Sequence, residues 1–399
     1  GCMDTMESLQ IFNVGYNSLT GSLPLPTTTN TNTNSSLMYY NIESNSFVGQ
    51  LPSMSTLPSL EYLIVSYNSI SGALPTSINL LSNLTSILLN NNEFTSTLPS
   101  LSNLTQLQTF SVGSNSASGP LDGIFSSNQG SISMIDISDN GFTNSIPSDI
   151  FMISSLQVFA ASENCISGGI PDSICSSTTL QTLSMDGLNN NVRFCSALKM
   201  WFADSHLSNT VAGGIPSCIW TLPQVASVHM AGNGFVGTIH SGLDQDLTSI
   251  SNSLINVSLS YNRFTGSIPT VIQATEFNYF DISHNKISGT GVGLTANSNN
   301  ITYEVNRLSG LLPSSFIPTT NVNVLLGNLF NCYEQKDLPE NDPHYSDYSC
   351  GSNELNQSMI SMGAVVAIVI VTGLSIRYYE RKIFSRGRIA STNHTNTPN

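Results

Sequence analysis

Asp281, Ser283 and His284 place a carboxylate, a hydroxyl and an imidazole within four residues of one another. An acid that orients an imidazole, which in turn takes a proton from a hydroxyl, is the arrangement of nucleophilic acyl transfer. The chain offers little else of this kind. It has no G-x-S-x-G elbow, H-E-x-x-H pair, phosphate-binding glycine loop, Cys-x-x-Cys pair or metal-ligand constellation. The element that carries Asp281 and His284 decides between chemistry and a merely polar surface.

That element is one copy of a repeat. The stretch LEYLIVSYNSISGALP, from Leu60 to Pro75, returns about every 24 residues in the frame L-x-x-L-x-L-x-x-N-x-L-x-G-x-L/I-P. The same frame stands in LQIFNVGYNSLTGSLP at Leu9, ISMIDISDNGFTNSIP at Ile132, LQVFAASENCISGGIP at Leu156 and LINVSLSYNRFTGSIP at Leu254. Its asparagines are Asn17, Asn45, Asn68, Asn92, Asn115, Asn140, Asn164, Asn209, Asn233, Asn262, Asn285 and Asn306. Most gaps between them are 21 to 29 residues, and only Asn164 to Asn209 is longer, at 45. Self-similarity at this period defines a leucine-rich-repeat solenoid.

The frame has a physical reading. In Leu60-x-x-Leu63-x-Val65 alternate apolar residues point inward and those between point out. One unit cannot bury its apolar side, so neighbours stack around a continuous core. The Asn amide of each unit can satisfy backbone groups that the turn strands inside the stack, where an unpaired polar group costs about 1–3 kcal/mol. Twelve or thirteen strands at roughly 4.8 Å give a concave sheet about 60 Å long. Asp281 and His284 then fall on the polar face of a repeat strand, and neither an enzyme nor a cofactor is expected.

The second half of the unit narrows the class. Leu19-Thr20-Gly21-Ser22-Leu23-Pro24, Phe264-Thr265-Gly266-Ser267-Ile268-Pro269 and Leu308-Ser309-Gly310-Leu311-Leu312-Pro313 resemble the plant-type 24-residue subclass. That subclass occurs in receptor-like kinases, receptor-like proteins and polygalacturonase inhibitors. The resemblance spans roughly residues 9–330. It implies a curved solenoid with parallel strands on the concave face and irregular or 3-10 convex returns. It also implies a second short strand at Gly-x-Ile-Pro, with Pro confining that strand to an edge.

Charged residues are few, at 9 per cent, and the net charge is −14. Five of the eleven Lys and Arg lie after residue 376: Arg377, Arg381, Lys382, Arg386 and Arg388. The chain before them carries 24 acids against 6 bases, which excludes the basic face that a nucleic acid requires. Seven cysteines are present. Plant-type ectodomains close the last repeat with a disulfide-bearing cap, and the resemblance implies that Cys332 and Cys350 form that bond. Cys165, Cys175, Cys195 and Cys218 can form one or two further bridges or stay as buried thiols, and Cys2 has no obvious partner. The chain starts with Gly in mid-repeat, so an upstream segment is expected to be missing. Asn34, Asn83, Asn103, Asn256, Asn300 and Asn356 head Asn-x-Ser/Thr acceptors for glycosylation, and their positions are read as lying outside the strands.

From Leu355 to Ile376 no residue is charged. Twenty-two residues at about 1.5 Å each span roughly 33 Å, the thickness of a hydrocarbon core. Arg377, Arg381 and Lys382 follow it, the positive-inside pattern, which places the repeats outside the cell and the C-terminus in the cytosol. The expected organisation is therefore a repeat ectodomain over residues 1–330, with an insertion at 188–208. A cysteine cap and juxtamembrane segment follow over 331–354, a transmembrane helix over 355–376 and a short basic tail over 377–399. A tail this short holds no folded domain, so the chain is similar to the receptor-like proteins rather than to the kinases.

The outward positions of the frame are candidate ligand contacts. They are Tyr16, Tyr39, Tyr62 and Tyr67 on the N-terminal side and Asp136, Asp139, Glu163 and Asp186 in the middle. His229, Tyr261, Tyr279, Asp281 and His284 follow toward the C-terminal side. Tyrosine suits interfaces, and it also suits strands, where it packs on its cross-strand neighbour. The acidic middle favours a cationic or hydroxyl-rich ligand, or is a solvated face. The insertion carries Arg193, Phe194, Lys199, Trp201 and Phe202. It is a ligand-binding island, a loop stapled through Cys195, or translated intron, since its removal restores the frame. The stretch from Pro24 to Ser36 is low-complexity and reads as a disordered loop.

The resemblance implies a single-pass cell-surface recognition protein at the plasma membrane. Such a protein binds an extracellular protein, peptide or glycan through the repeats and signals through a membrane co-receptor or kinase. An adhesive wall-associated protein and an inhibitor of wall-degrading enzymes remain as alternatives, and the membrane segment counts against the inhibitor.

Overall fold

The computed structural model describes residues 8–25, 35–191, 193–195, 211, 213–239, 250–290 and 300–350. The frame residues behave as their alternation requires: Leu60, Leu63 and Val65 are buried, and Tyr62 between them faces solvent. The first strand of every unit joins a 13-stranded parallel sheet whose strands run in sequence order from Ile11–Asn13 to Val322–Asn323. The register does not shift along most of the sheet. Tyr62, Leu63 and Ile64 pair with Ser86, Ile87 and Leu88, and Met134, Ile135 and Asp136 pair with Val158, Phe159 and Ala160. Each frame position therefore becomes a row. Leu63, Ile87, Phe110, Ile135, Phe159 and Leu183 form one such row in a single continuous core.

The chain leaves each strand through one residue with positive φ, immediately before the asparagine. Tyr16, Ser44, Tyr67, Asn91, Ser114, Asp139, Glu163, Tyr261, His284 and Val305 adopt it at φ 50–56°, and Gly187, Gly232 and Gly327 take the same place. A left-handed turn aims the next side chain into the stack, at a local cost of about 1–2 kcal/mol for a residue with a Cβ.

The asparagine repays that cost. The amide of Asn140 donates to the carbonyls of Val112, Ile137 and Ser138, and its oxygen accepts from the Ala117 N–H. One side chain thus closes its own turn and binds the preceding unit. Asn45, Asn68, Asn92, Asn115, Asn164, Asn262, Asn285 and Asn306 repeat the pattern. Asn328 extends it by one unit beyond the sequence expectation, donating to Tyr303 and Val324 and accepting from Leu308. The row breaks once in the described residues. Leu188 stands where the frame asks for Asn after Gly187, and its backbone carbonyl takes the Ile166 N–H instead.

A second strand follows the asparagine and forms a separate surface. Six strands from Thr20–Ser22 to Gly141–Thr143 make one sheet. Val236–Thr238 pairs with Arg263–Thr265, and Ser288–Gly289, Arg307–Leu311 and Leu329–Asn331 make a third group. Most of these strands include the glycine of Gly-x-Ile/Leu-Pro, as expected, and begin one to three residues before it. The proline does not confine a strand to an edge, as expected from sequence, except in Ser116–Pro120, which contains one. It stands instead directly before a one-turn helix. Pro75 precedes Thr76–Leu80, Pro147 precedes Ser148–Phe151, Pro171 precedes Asp172–Ser176 and Pro269 precedes Thr270–Gln273. Its fixed φ and missing N–H suit that position.

Three disulfides are formed: Cys165–Cys195, Cys175–Cys218 and Cys332–Cys350. The last belongs to a cap that imitates a further repeat. Buried Asp342 accepts from the Val324 and Leu325 N–H groups, which a following strand would otherwise engage. The Tyr348 hydroxyl accepts from the Phe330 N–H, the role that an asparagine oxygen plays one unit earlier. Burial pushes the Tyr348 hydroxyl up to about 12. Residues 355–376, where a membrane span is expected, and the tail that follows lie outside the described residues. Among the described residues no helix is long and apolar enough to cross a membrane.

The asparagine row makes a graded prediction. Asn140→Ala leaves the Ala117 N–H without its acceptor and removes one of two donors from each of the Val112, Ile137 and Ser138 carbonyls, which keep Asn115, Asn164 and the Ser114 N–H, and should cost about 2–3 kcal/mol. Asn17→Ala, at an exposed position where the amide bonds only Val14 and Gly15, should cost under about 1 kcal/mol. Urea midpoints of the two variants measure the difference.

Candidate functional site

The long sheet presents its outward positions in two groups. The N-terminal group is aromatic. Tyr39 and Tyr62 sit on adjacent paired strands with ring centroids 5.5 Å apart. Tyr67 and Tyr16 are not on strands but on the positive-φ corners, 51% and 75% exposed. The Tyr16 hydroxyl hydrogen-bonds Glu43, which raises its pKa.

The C-terminal group is polar and more enclosed. Asp281 lies on Tyr279–Asp281 with only 9% of its surface exposed. Its carboxylate accepts from the Ser283 N–H at 2.9 Å and from the Tyr279 hydroxyl at 3.3 Å. Three strands back, Asp186 accepts from the Ala231 N–H at 2.6 Å. Burial holds the Asp186 carboxyl above the usual carboxylate range, against the Ala231 N–H and His229, and the Asp281 charge adds to the rise. Burial also pushes the Tyr279 hydroxyl up, assisted by Asp281, while Ser258 lowers it. Asp186, His229, Ser258, Tyr279 and Asp281 are therefore one electrostatic neighbourhood across four strands. At its rim Tyr261 stacks on His284 with centroids 4.1 Å apart, and His284 Nε2 lies 3.6 Å from a Glu304 oxygen.

This arrangement does not assemble a catalytic dyad from Asp281 and His284. Ser283 is buried and gives its backbone N–H to Asp281, while His284 turns away to Tyr261 and Glu304. No acid–imidazole–hydroxyl relay forms. The cluster can instead accept hydrogen bonds and cations on fixed carboxylates, beside aromatic faces.

The middle residues are tied to structure. Asp136 accepts from the Ser111 hydroxyl and the Ser138 N–H. Asp139 and Glu163 occupy positive-φ corners rather than the strands themselves, as do Tyr261 and His284. Asn191, at the root of the insertion, donates to the Asp139 carboxylate and to the Asn140 and Glu163 carbonyls. The described start of the insertion, residues 188–191 and 193–195, thus lies against the two units before its own, anchored by Cys165–Cys195. The side chain of Phe194 lies close against Gly141. Trp201 lies outside the described residues.

Of the glycosylation acceptors, Asn83, Asn103 and Asn300 are exposed. Asn256 corrects the expectation that these sites avoid strands. It belongs to Asn256–Ser258, is half-buried, and its amide donates to the Ser227 hydroxyl. Asn34 and Asn356 fall outside the described residues. Glu304, Ser258 and Asn191 were not singled out by sequence, although Glu304 stands two residues before its asparagine as Asp186 stands two before Leu188.

The architecture is that of a leucine-rich-repeat solenoid, and the Leucine Rich Repeat family model matches residues 59–81. Receptor-like protein 35 of Arabidopsis thaliana is 32% identical over 85 residues, which cover 21% of this chain and 9% of that protein. Receptor-like protein 18 of the same plant is 28% identical over 297 residues, covering 67% of this chain and 31% of the relative. The match thus takes in a third or less of either relative's length. The ectodomain of the Arabidopsis receptor kinase HAESA, solved with an extended IDA peptide hormone, superposes with a TM-score of 0.62 at 20% identity. That superposition covers 86% of this chain and 62% of the HAESA ectodomain. Repeat, asparagine row and homology together make this chain similar to the plant leucine-rich-repeat receptor-like proteins.

Asp186 generates a pH prediction. Its folded pKa is raised, so its contribution to stability is complete below the unfolded value near 3.9 and is lost as pH rises through the folded pKa. Asp186→Asn keeps an acceptor for Ala231 and removes that loss. Its melting temperature should exceed the parent's by roughly 1–2 °C at neutral pH and match it near pH 3, which calorimetry at the two pH values checks.

Proposed function

We propose that this chain is the extracellular recognition part of a cell-surface receptor-like protein that captures a peptide or protein ligand on the long sheet. The observation that carries this reading is the enclosed cluster of Asp186, His229, Tyr279 and Asp281. The Tyr261–His284 stack sits at its edge. Carboxylates already held by backbone donors are pre-oriented, so a ligand loses little entropy in ordering them. Their charge favours a ligand with a cationic side chain seated between the carboxylates and resting on an aromatic ring. The receptor-like relatives support a recognition role, and HAESA supplies an example of the same fold holding a peptide.

Residues 355–376 anchor the repeats on the outer side of the plasma membrane in this reading, and a membrane partner carries the signal. Protease added to intact cells should then remove the repeats and leave a small tail-containing fragment. Full protection of the repeats overturns the topology.

Ligand capture is tested with the full chain in membranes against a displayed peptide library. Peptides selected on the parent should bind Tyr279→Ala and Asp281→Asn at least tenfold more weakly, about 1.4 kcal/mol. The Tyr62→Ala and Tyr67→Ala pair reports on the aromatic group separately. Capture that survives all four substitutions places the ligand off the long sheet.

A further inference from the structure

Two tyrosines stand on the corners of the first and third described units, with a carboxylate beside them in the second. Tyr16 and Tyr67 are both positive-φ corners with exposed rings. The corner between them is Ser44, which carries only a hydroxymethyl group. Glu43 directly precedes Ser44, and its backbone carbonyl accepts from the Tyr16 N–H. The equivalent positions before the flanking corners are Gly15 and Ser66. Ser66 is buried, with its hydroxyl bonded to Asn90, so Glu43 has no bulky neighbour in its row. Its carboxylate accepts from the Tyr16 hydroxyl, and the Tyr67 phenol lies near enough to act on that hydroxyl electrostatically. The three side chains therefore converge on the middle unit.

The spacing leaves room for a ligand. Tyr39 and Tyr62, on adjacent strands, pack on one another. Tyr16 and Tyr67 instead stand two units apart, about 10 Å at roughly 4.8 Å per step. A group seated over Ser44 is one step from each of them. That lies inside the roughly 6 Å over which a ring face attracts a cation. Contact with a ring carbon takes about 3.5–4.0 Å on either side. What is left has depth, so a tetrahedral group can touch both rings where a flat guanidinium touches one.

The charge in this part of the chain has one sign. Residues 1–192 contain 12 acids and no Lys, Arg or His. No base of the first seven units therefore stands against Glu43, and its charge is free to face a ligand. A lone surface carboxylate holds cations weakly, and the two ring faces beside it supply the selectivity. A lysine or arginine head brings several N–H donors that need acceptors, and Tyr16 already takes part of the capacity of this carboxylate. A methylated ammonium has no such requirement. Its methyl groups carry the charge and rest directly on ring faces. We propose that Tyr16, Glu43 and Tyr67 form a binding slot for a methylated ammonium group, far along the long sheet from the Asp186–Asp281 cluster and independent of any peptide bound there.

The test is equilibrium binding of choline to the full chain. The control is the carbon isostere of choline, which has the same shape and no charge. Choline should bind, the isostere should bind at least tenfold more weakly, and added salt should weaken choline. Glu43→Gln keeps an acceptor for the Tyr16 hydroxyl. It and Tyr67→Ala should each weaken choline at least threefold, and together at least tenfold, whereas Tyr67→Phe keeps the ring and should bind as the parent does. Glu93→Gln, at an exposed acid on the second strands, should leave binding unchanged. An unaltered melting temperature establishes that each variant is folded. Equal binding of the isostere, equal displacement by ammonium or guanidinium ions, or a double variant that binds as the parent does overturns the proposal. An equal loss in Glu93→Gln also overturns it, because negative charge alone would then be the cause. Phosphatidylcholine vesicles separate the sources of the group. Capture that Glu43→Gln abolishes assigns it to a lipid, choline binding without capture assigns it to a free solute, and capture that ignores Glu43 and Tyr67 overturns the slot.

Discussion

Every unit of this solenoid depends on a single amide group placed where the backbone leaves the long sheet. A stacked strand satisfies its own peptide groups through its neighbours, but the turn that follows faces inward, where water cannot reach. Asn140 shows the solution, three carbonyls and one N–H served by one side chain. No other residue of similar size offers two donors and a strong acceptor in that geometry. The requirement then propagates. The amide must point inward, so the preceding residue takes a left-handed conformation even where it is Tyr, Asp, Glu or Val. Strain spread along one edge is the complement of satisfaction inside the stack.

The cap follows the same logic with different chemistry. Among the described residues no further strand follows the last unit to take the Val324 and Leu325 N–H groups, and no further asparagine to take that of Phe330. A carboxylate, Asp342, and a phenol, Tyr348, stand in for them. Closing a stack means reproducing its hydrogen-bond acceptors as well as covering its apolar end.

The repeat, its inward rows and the number of strands were legible in the sequence because alternation and period are local properties. Cys332–Cys350 followed from resemblance to capped ectodomains. Other features needed three dimensions. Cys165 and Cys195 are joined because the chain at Asn191 and Cys195 lies back against the preceding units, and nothing in their spacing states a direction. Tyr67 and Glu163 read as strand residues because the frame marks them outward, and only backbone dihedrals separate a corner from a strand. Asn328 escaped notice because the run VNVLLGN alters the spacing before it.

Leu188 bears on how the molecule comes apart. A solenoid is a one-dimensional cooperative system in which each unit is coupled only to its neighbours. Where Leu188 replaces asparagine, the amide that elsewhere bridges two units is missing, and the joint is held by strand pairing, apolar contact, the Ile166 N–H to Leu188 carbonyl bond and the Ser162 hydroxyl, which accepts from the Asp186 N–H. Cys175–Cys218 crosses that joint between the adjacent returns Asp172–Ser176 and Ser217–Thr221, and Cys165–Cys195 ties the insertion across it. The covalent bonds thus splice the stack where its side-chain ladder has a missing rung. With both bonds reduced, the rod would melt as two blocks with separate transitions; with them intact it melts as one.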